Sequence, residues 1–169
     1  MNSLAEQLVS TAAALLDESG LGRVTIREVA RRSGVSHGAP RRYFPTLESL
    51  LAAVARQGFL DLQVALDNAG DSCLAWAQAY LAFADRRPNT FELLFRHESL
   101  EGAGAQLREI SLPLLTTWVQ RYTVEHAQTT RDDALAAWSG IHGVAALSAR
   151  GALRLVQVDA TDLLLKTLR

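Results

Sequence analysis

TIREVARRSGVSHGAPRRYF, Thr25 to Phe44, is the stretch from which the rest of this 169-residue chain can be read. Thr25 precedes Glu28 by three residues, the spacing at which a hydroxyl caps a helix and a carboxylate returns the bond. The helix it opens, Ile26 to about Arg32, buries Ile26, Val29 and Ala30. Ser33-Gly34-Val35 breaks it, and Gly34 supplies the left-handed backbone that a sharp turn requires. Ser36 or His37 then caps a short third helix running to about Phe44. Two short helices joined by such a turn, with a small residue (Ala30) where they touch, form a helix-turn-helix. Val35 and Phe44 plug the core beneath. The outer face of the third helix is left to enter a major groove, which admits one helix. Pro40 is tolerated only in a helix's first turn, so the helix is expected to start at His37.

Charge follows the same division. Net charge is −1, yet Arg23 to Arg42 holds six arginines against one acid, Glu28, a local balance of +5. From Tyr43 onward 11 basic residues face 14 acidic ones, a balance of −3. A basic head on a mildly acidic body suits a protein that meets phosphates at one end. Arg31 and Arg32 read better as a solvated face than as base readers.

Working outward, helical periodicity continues in both directions and strand signals are absent. Ser3 caps a first helix whose stripe is Leu4, Leu8, Ala12, Leu15 and Leu16, stopped at Gly20-Leu21-Gly22. Thr46 caps a long fourth helix through Leu50, Leu51, Val54, Phe59, Leu62 and Leu66, ending at Asn68 to Asp71. A fifth helix spans about Asp71 to Asp85, and Pro88 opens a short one through Phe91, Leu94 and Phe95. Glu101 to Gly104 links into a long helix that ends near His126 and carries Pro113. The last two helices are expected at about Asp132 to Val156 and Ala160 to Leu168. The fold class is therefore all-α, with about nine helices. A helix-turn-helix domain covers residues 1–47, and a helical sensing and dimerisation domain covers 48–169.

Composition narrows the function. Cys73 is the only cysteine, which excludes an internal disulfide framework and fits a reducing cytoplasm. No apolar run approaches the roughly 18–20 residues of a membrane span, so no membrane partner is expected. MNSLAEQLVS is unlike a signal peptide. Histidines 37, 97, 126 and 142 show no metal spacing, and no nucleophile-elbow sequence occurs. Neither an enzyme, a metal nor a cofactor is indicated.

Residues 4 to 60 resemble the DNA-binding domain of the tetracycline-repressor (TetR) family. The resemblance rests on LVSTAAALLDESG, then TIREVARRSGVS, then YFPTLESLLAAV. AYLAFADRRPNTFELLF (79–95) and WSGIHGVAAL (138–147) resemble a subgroup whose sensor domain carries a Trp-x-x-x-His-Gly signature. By position, the resemblance implies base-edge contacts from His37, Gly38, Ala39 and Arg41 beside the cap Ser36. It also implies phosphate contacts from Thr25, Arg27, Arg42, Tyr43 and Thr46. Arg41 has the fork that binds guanine O6 and N7 bidentately. Leu47 stands where relatives often carry a phosphate-binding lysine, and Pro40 where many have leucine.

In the body, Trp76, Phe83, Phe91, Phe95, Trp118, Tyr122, Trp138 and His142 are candidates to line a cavity for a small, mostly apolar effector with one polar handle. Gly140, Gly143, Gly151 and the alanines around them suggest a close neighbour for the eighth helix. The resemblance implies a homodimer through the last two helices, gripping palindromic double-stranded operator DNA. The resemblance implies a ligand-released repressor. An all-α interaction or ligand-binding protein without DNA binding is the alternative.

Overall fold

Five hydroxyls set where helices begin. In the computed structural model, which describes residues 3–96, 100, 102–103 and 105–168, Ser3, Thr25, Thr46, Ser72 and Thr130 each accept a bond from the amide three residues on. Each satisfies a donor that the helix itself leaves unpaired. In chain order the described residues form α1 (Leu4–Ser19), α2 (Ile26–Arg32), α3 (Leu47–Asp67), α4 (Cys73–Arg86) and α5 (Pro88–Leu94). Then come α6 (Arg108–Glu125), α7 (Arg131–Ala149), α8 (Ala152–Leu155) and α9 (Ala160–Thr167), with no strand among them. The chain is all-α. His97, Glu101 and Gly104 lie outside the described residues, so the Glu101–Gly104 link is seen only at Gly102 and Ala103.

The nine helices are not quite the nine expected. The third is the main correction: the only helix between His37 and Phe44 is a 3₁₀ turn, Pro40–Arg42. Proline has no N–H to give the Ser36 carbonyl, and the Ala39 amide takes that carbonyl at 3.0 Å in a tighter turn. Only the last bond, from the Phe44 amide to the Pro40 carbonyl at 2.8 Å, has α-helical spacing. The Pro40 ring is buried. The Thr25 box is half made as well. Thr25 caps Glu28, but the Glu28 carboxylate turns away to Arg31 and Arg32.

At the other end, the helix expected from Asp132 to Val156 stops at Ala149. Gly151 adopts φ 69°, a left-handed turn that starts the short α8. Ser72 takes the cap of α4, so that helix starts at Cys73 rather than Asp71. Pro113 lies inside α6, which continues past it to Glu125.

One core runs through the molecule. In the head Leu8, Ala12, Leu16, Val29, Ala30 and Leu50 are fully buried. Gly34 has φ 69°, as the turn after α2 requires, and Val35 and Phe44 pack against the core from the side. In the body α4 packs chiefly against α7, and α3 touches α1, α4, α5 and α6. Helix α3 is thus the one long element that starts in the head and forms a wall of the body.

Candidate nucleic-acid interface and effector cavity

The head sorts its arginines into two kinds. Arg31 and Arg32 share the Glu28 carboxylate at 2.6 and 3.1 Å, and Arg32 also reaches Glu18. The hydrogen bonds from Arg31 and Arg32 hold the Glu28 carboxyl down to about 2, so it stays charged and keeps both guanidinium groups occupied. Arg27, Arg41 and Arg42 are exposed and have no side-chain hydrogen bond or ion pair among the described residues. Guanidinium groups left this way are open to anions.

The other head candidates lie on the same stretch. Ser36, His37, Gly38, Arg41, Arg42 and Tyr43 are exposed, Tyr43 at 49%, and Ala39 is half-buried. Thr25 and Thr46 are exposed too, and each spends a lone pair as a cap while keeping its hydroxyl hydrogen free to donate. The structure therefore sets all ten at the turn 36–43 or at the starts of α2 and α3. They come from non-helical backbone more than from one helix face. Two acids lie beside them, Glu28 in the first turn of α2, already engaged by Arg31 and Arg32, and Glu48 in the first turn of α3.

In the body a cavity of about 510 Å³ lies between α3, α4, α6 and α7. Four of the eight candidates line it: Trp76, Phe95, Trp138 and His142. The other four are used as packing. Trp118 donates its indole N–H to the Ala134 carbonyl at 2.7 Å, fully buried. Tyr122 stacks on His126 at 4.3 Å, Phe83 lies beneath the Arg87 guanidinium, and Phe91 meets Tyr80 edge-on at 5.3 Å.

Lining residues that the sequence reading passed over include Tyr80, Phe59, Leu62 and Leu66, with Ser111, Leu112 and Leu115 from α6. The α3 stripe was legible as core. Nothing in its spacing says that the core is hollow at that point. Tyr80 is fully buried, with its phenol 2.8 Å from His142 Nδ1. Burial pushes the phenol well above its ordinary pKa, and burial together with the Arg150 charge keeps His142 below its own.

One cation adds a polar tie to the packing between head and body. Arg87, at the start of α5, donates to Asp17 of α1 at 2.8 Å and to Asp61 of α3 at 2.6 Å. Thr90 donates to the other Asp17 oxygen at 2.6 Å, and Asn89 reaches the Asp17 carbonyl. The aspartates hold Arg87 above its ordinary value against the opposing cost of burial.

The terminal helices use the small residues unevenly. A Cβ at Gly140 would collide with Thr167, so this glycine lets α9 dock on α7. A Cβ at Gly143 would meet nothing within 4 Å. Leu164 is buried, and Leu163 and Leu168 pack on the core. Leu147, Leu155, Val156 and Leu165 are exposed at 46, 86, 66 and 38%.

Comparison with known proteins gives two matching families. The description "Bacterial regulatory proteins, tetR family" matches residues 8–54, and "Tetracyclin repressor-like, C-terminal domain" matches residues 73–169. The HTH-type transcriptional regulator BetI 2 of Chromohalobacter salexigens is 39% identical over 61 residues, 36% of this chain and 30% of that protein. The curated relatives are matched over only 30 to 42% of their own length. A protein of unknown function from Rhodococcus sp. RHA1 shares the fold with a TM-score of 0.81 and 27% identity, over 99% of this chain and 93% of that one. BioQ, solved with its natural double-stranded DNA operator, has a TM-score of 0.65 at 19% identity, over 99% and 98% of the two chains. That last likeness is one of fold.

Proposed function

This chain belongs to the tetracycline-repressor family, and from that premise we propose that it is a transcription regulator that binds operator DNA through its head and answers a small effector held in its body. The observation that carries the reading is the division among the arginines. Arg31 and Arg32 are paired within the chain by Glu28 and Glu18, while Arg23, Arg27, Arg41 and Arg42 are left with no side-chain partner among the described residues, the last two beside exposed Tyr43. Arg41 is the base reader and His37, Gly38 and Ala39 approach the groove floor. Thr25, Arg27, Arg42, Tyr43 and Thr46 hold phosphates, the last with help from the α3 amides.

The working unit in this reading is a homodimer, which spaces two heads along a palindrome. Support comes from the open ground over Gly143, from Leu147 one turn further along α7, and from Leu165 of α9, both of which face solvent. Effector in the cavity shifts the population toward a head spacing that DNA does not fit. Helix α3 is the lever: Phe59, Leu62 and Leu66 line the cavity, Asp61 holds Arg87, and Thr46 starts the helix in the head. No catalytic step is needed. The Cys73 thiol, pushed up to about 12 chiefly by burial and then by Glu125, is no nucleophile at neutral pH. No described helix is long and apolar enough to cross a membrane. The cytoplasm, where the chromosome lies, is the proposed place of action.

A mobility-shift titration against fragments of the source genome tests this. Expected is retention of a few fragments, weakening steeply with salt. Arg41→Ala should lower that affinity with the protein still folded and dimeric. Failure to retain any fragment would favour an interaction protein without DNA binding. Full affinity in Arg41→Ala would overturn the base-reading assignment.

A further inference from the structure

The body cavity also carries chemical information about what it holds, and this inference rests on the effector reading above. Tyr80 is 0% exposed, and among the described residues its phenol has one partner, His142 Nδ1 at 2.8 Å. Water has no access to that oxygen, so the phenol hydrogen has a single acceptor available. If Nδ1 carried a proton, two hydrogens would compete for the same gap and the phenol hydrogen would be buried unpaired. His142 Nδ1 is therefore the acceptor, and the neutral ring carries its one proton on Nε2.

That Nε2–H has no partner among the described residues, and His142 lines the cavity. Its ring also borders a second pocket of about 480 Å³ between α5 and α7. A group approaching the free nitrogen from either side meets the same donor. Four residues earlier on α7 stands Trp138, half-buried and lining the same cavity, so both rings lie on one face of the helix. An indole nitrogen can only donate, and that of Trp138 also lacks a partner among the described residues. Ser111 can donate or accept, Arg108 can only donate, and none of the described lining residues is acidic. The remaining walls are aromatic or leucine.

We propose that the cavity selects flat, apolar molecules bearing an uncharged carbonyl-type oxygen (a ketone, quinone or ester) that accepts from His142 Nε2–H and Trp138 Nε1–H, and that it rejects amines of the same shape. An oxygen acceptor takes both donors at once in a mostly apolar surround, replacing the solvent that these unburied nitrogens otherwise face. An ammonium group brings only donors, and among the described lining residues the Ser111 hydroxyl alone is placed to accept while the Arg108 charge opposes it.

Three isosteric probes separate the cases by quenching of tryptophan fluorescence in the full-length protein: 2-acetylnaphthalene, 2-ethylnaphthalene and 1-(2-naphthyl)ethylammonium. The ketone is expected to bind about tenfold tighter than the hydrocarbon, and the ammonium weakest. His142→Phe removes the donor, so within that variant the ketone should bind no more than about twofold tighter than the hydrocarbon, the ratio of the two being the readout. Nitrogen-15 spectra of the wild-type protein give an independent reading, with a bare Nδ1 and a protonated Nε2 expected for His142. Equal affinity for ketone and hydrocarbon, a preference for the ammonium, or a proton on Nδ1 would overturn the ligand class while leaving the cavity as a sensor. Binding of none of the three would instead remove the sensor reading itself.

Discussion

In the head, Arg23, Arg27 at the start of α2, Arg41, Arg42 and a half-exposed Tyr43 stand in solvent, while the residues beneath them are buried leucines, valines and alanines. In the body the proportions are reversed. Trp76, Tyr80 and Trp118 are almost wholly enclosed, and most of their polar tips are satisfied by a neighbouring group. The head leaves charge unpaired where a partner arrives from outside. The body leaves a hollow, and only a few donors facing it. Both regions are incomplete by themselves, the head electrostatically and the body sterically. Arg87 ties the two together through Asp17 and Asp61.

The contrast is most exposed to a test in the body. Trp76→Ala removes a ring that is 1% exposed and in contact with Tyr80, Trp118 and Trp138, and should cost about 3–5 kcal/mol in urea unfolding. A loss below about 1 kcal/mol would mean that the ring borders empty space rather than holding the core together.

Arg87→Ala probes the seam between the regions. It strands Asp17 beside Asp61, and a cost of about 1–2 kcal/mol is expected after allowing for partial exposure. Amides of α1 should exchange faster with solvent than in the wild type. Unchanged exchange would mean that head and body are joined by packing alone.

Arg42→Ala should do the opposite of Trp76→Ala. The unfolding midpoint stays where it was, and the salt dependence of DNA binding drops by about one unit of slope. A shifted midpoint would show that the head's arginines are structural after all.

The smallest effect concerns acid. The folded state keeps His142 below its ordinary value of 6.5, through burial and the Arg150 charge, so the unfolded chain takes up the proton first. Stability from this ring is complete above pH 6.5 and falls as the pH drops below it. Thermal melts of wild type and His142→Gln, compared on either side of that value, should therefore converge in acid. Parallel curves would mean that the ring's proton does not matter to the fold.

The sequence carried the helix starts well because capping is local. Ser3, Thr25 and Thr46 each need only the amide three residues on, and any reader of the chain can count to three. The same locality exposed Gly34 as a left-handed turn. The third helix misled because Pro40 sits where two rules compete. Counting from His37 places it in a permissible first turn, yet the missing N–H left Ser36 to close a tighter turn instead. The long helix through Gly151 misled for a related reason. The spacing of its apolar residues continues to Val156, and only the backbone reversal at Gly151 ends it.

The sequence by itself settled the all-α class, the position of the helix-turn-helix and the basic character of one end, since capping, periodicity and charge are written residue by residue. Only the tertiary structure decided which arginines are spent, because Glu18 meets Arg32 from another helix. It alone separated the four aromatic candidates that border the cavity from the four that fill core. Periodicity tells which side of a helix faces inward, and whether atoms or empty space wait there depends on how several helices meet.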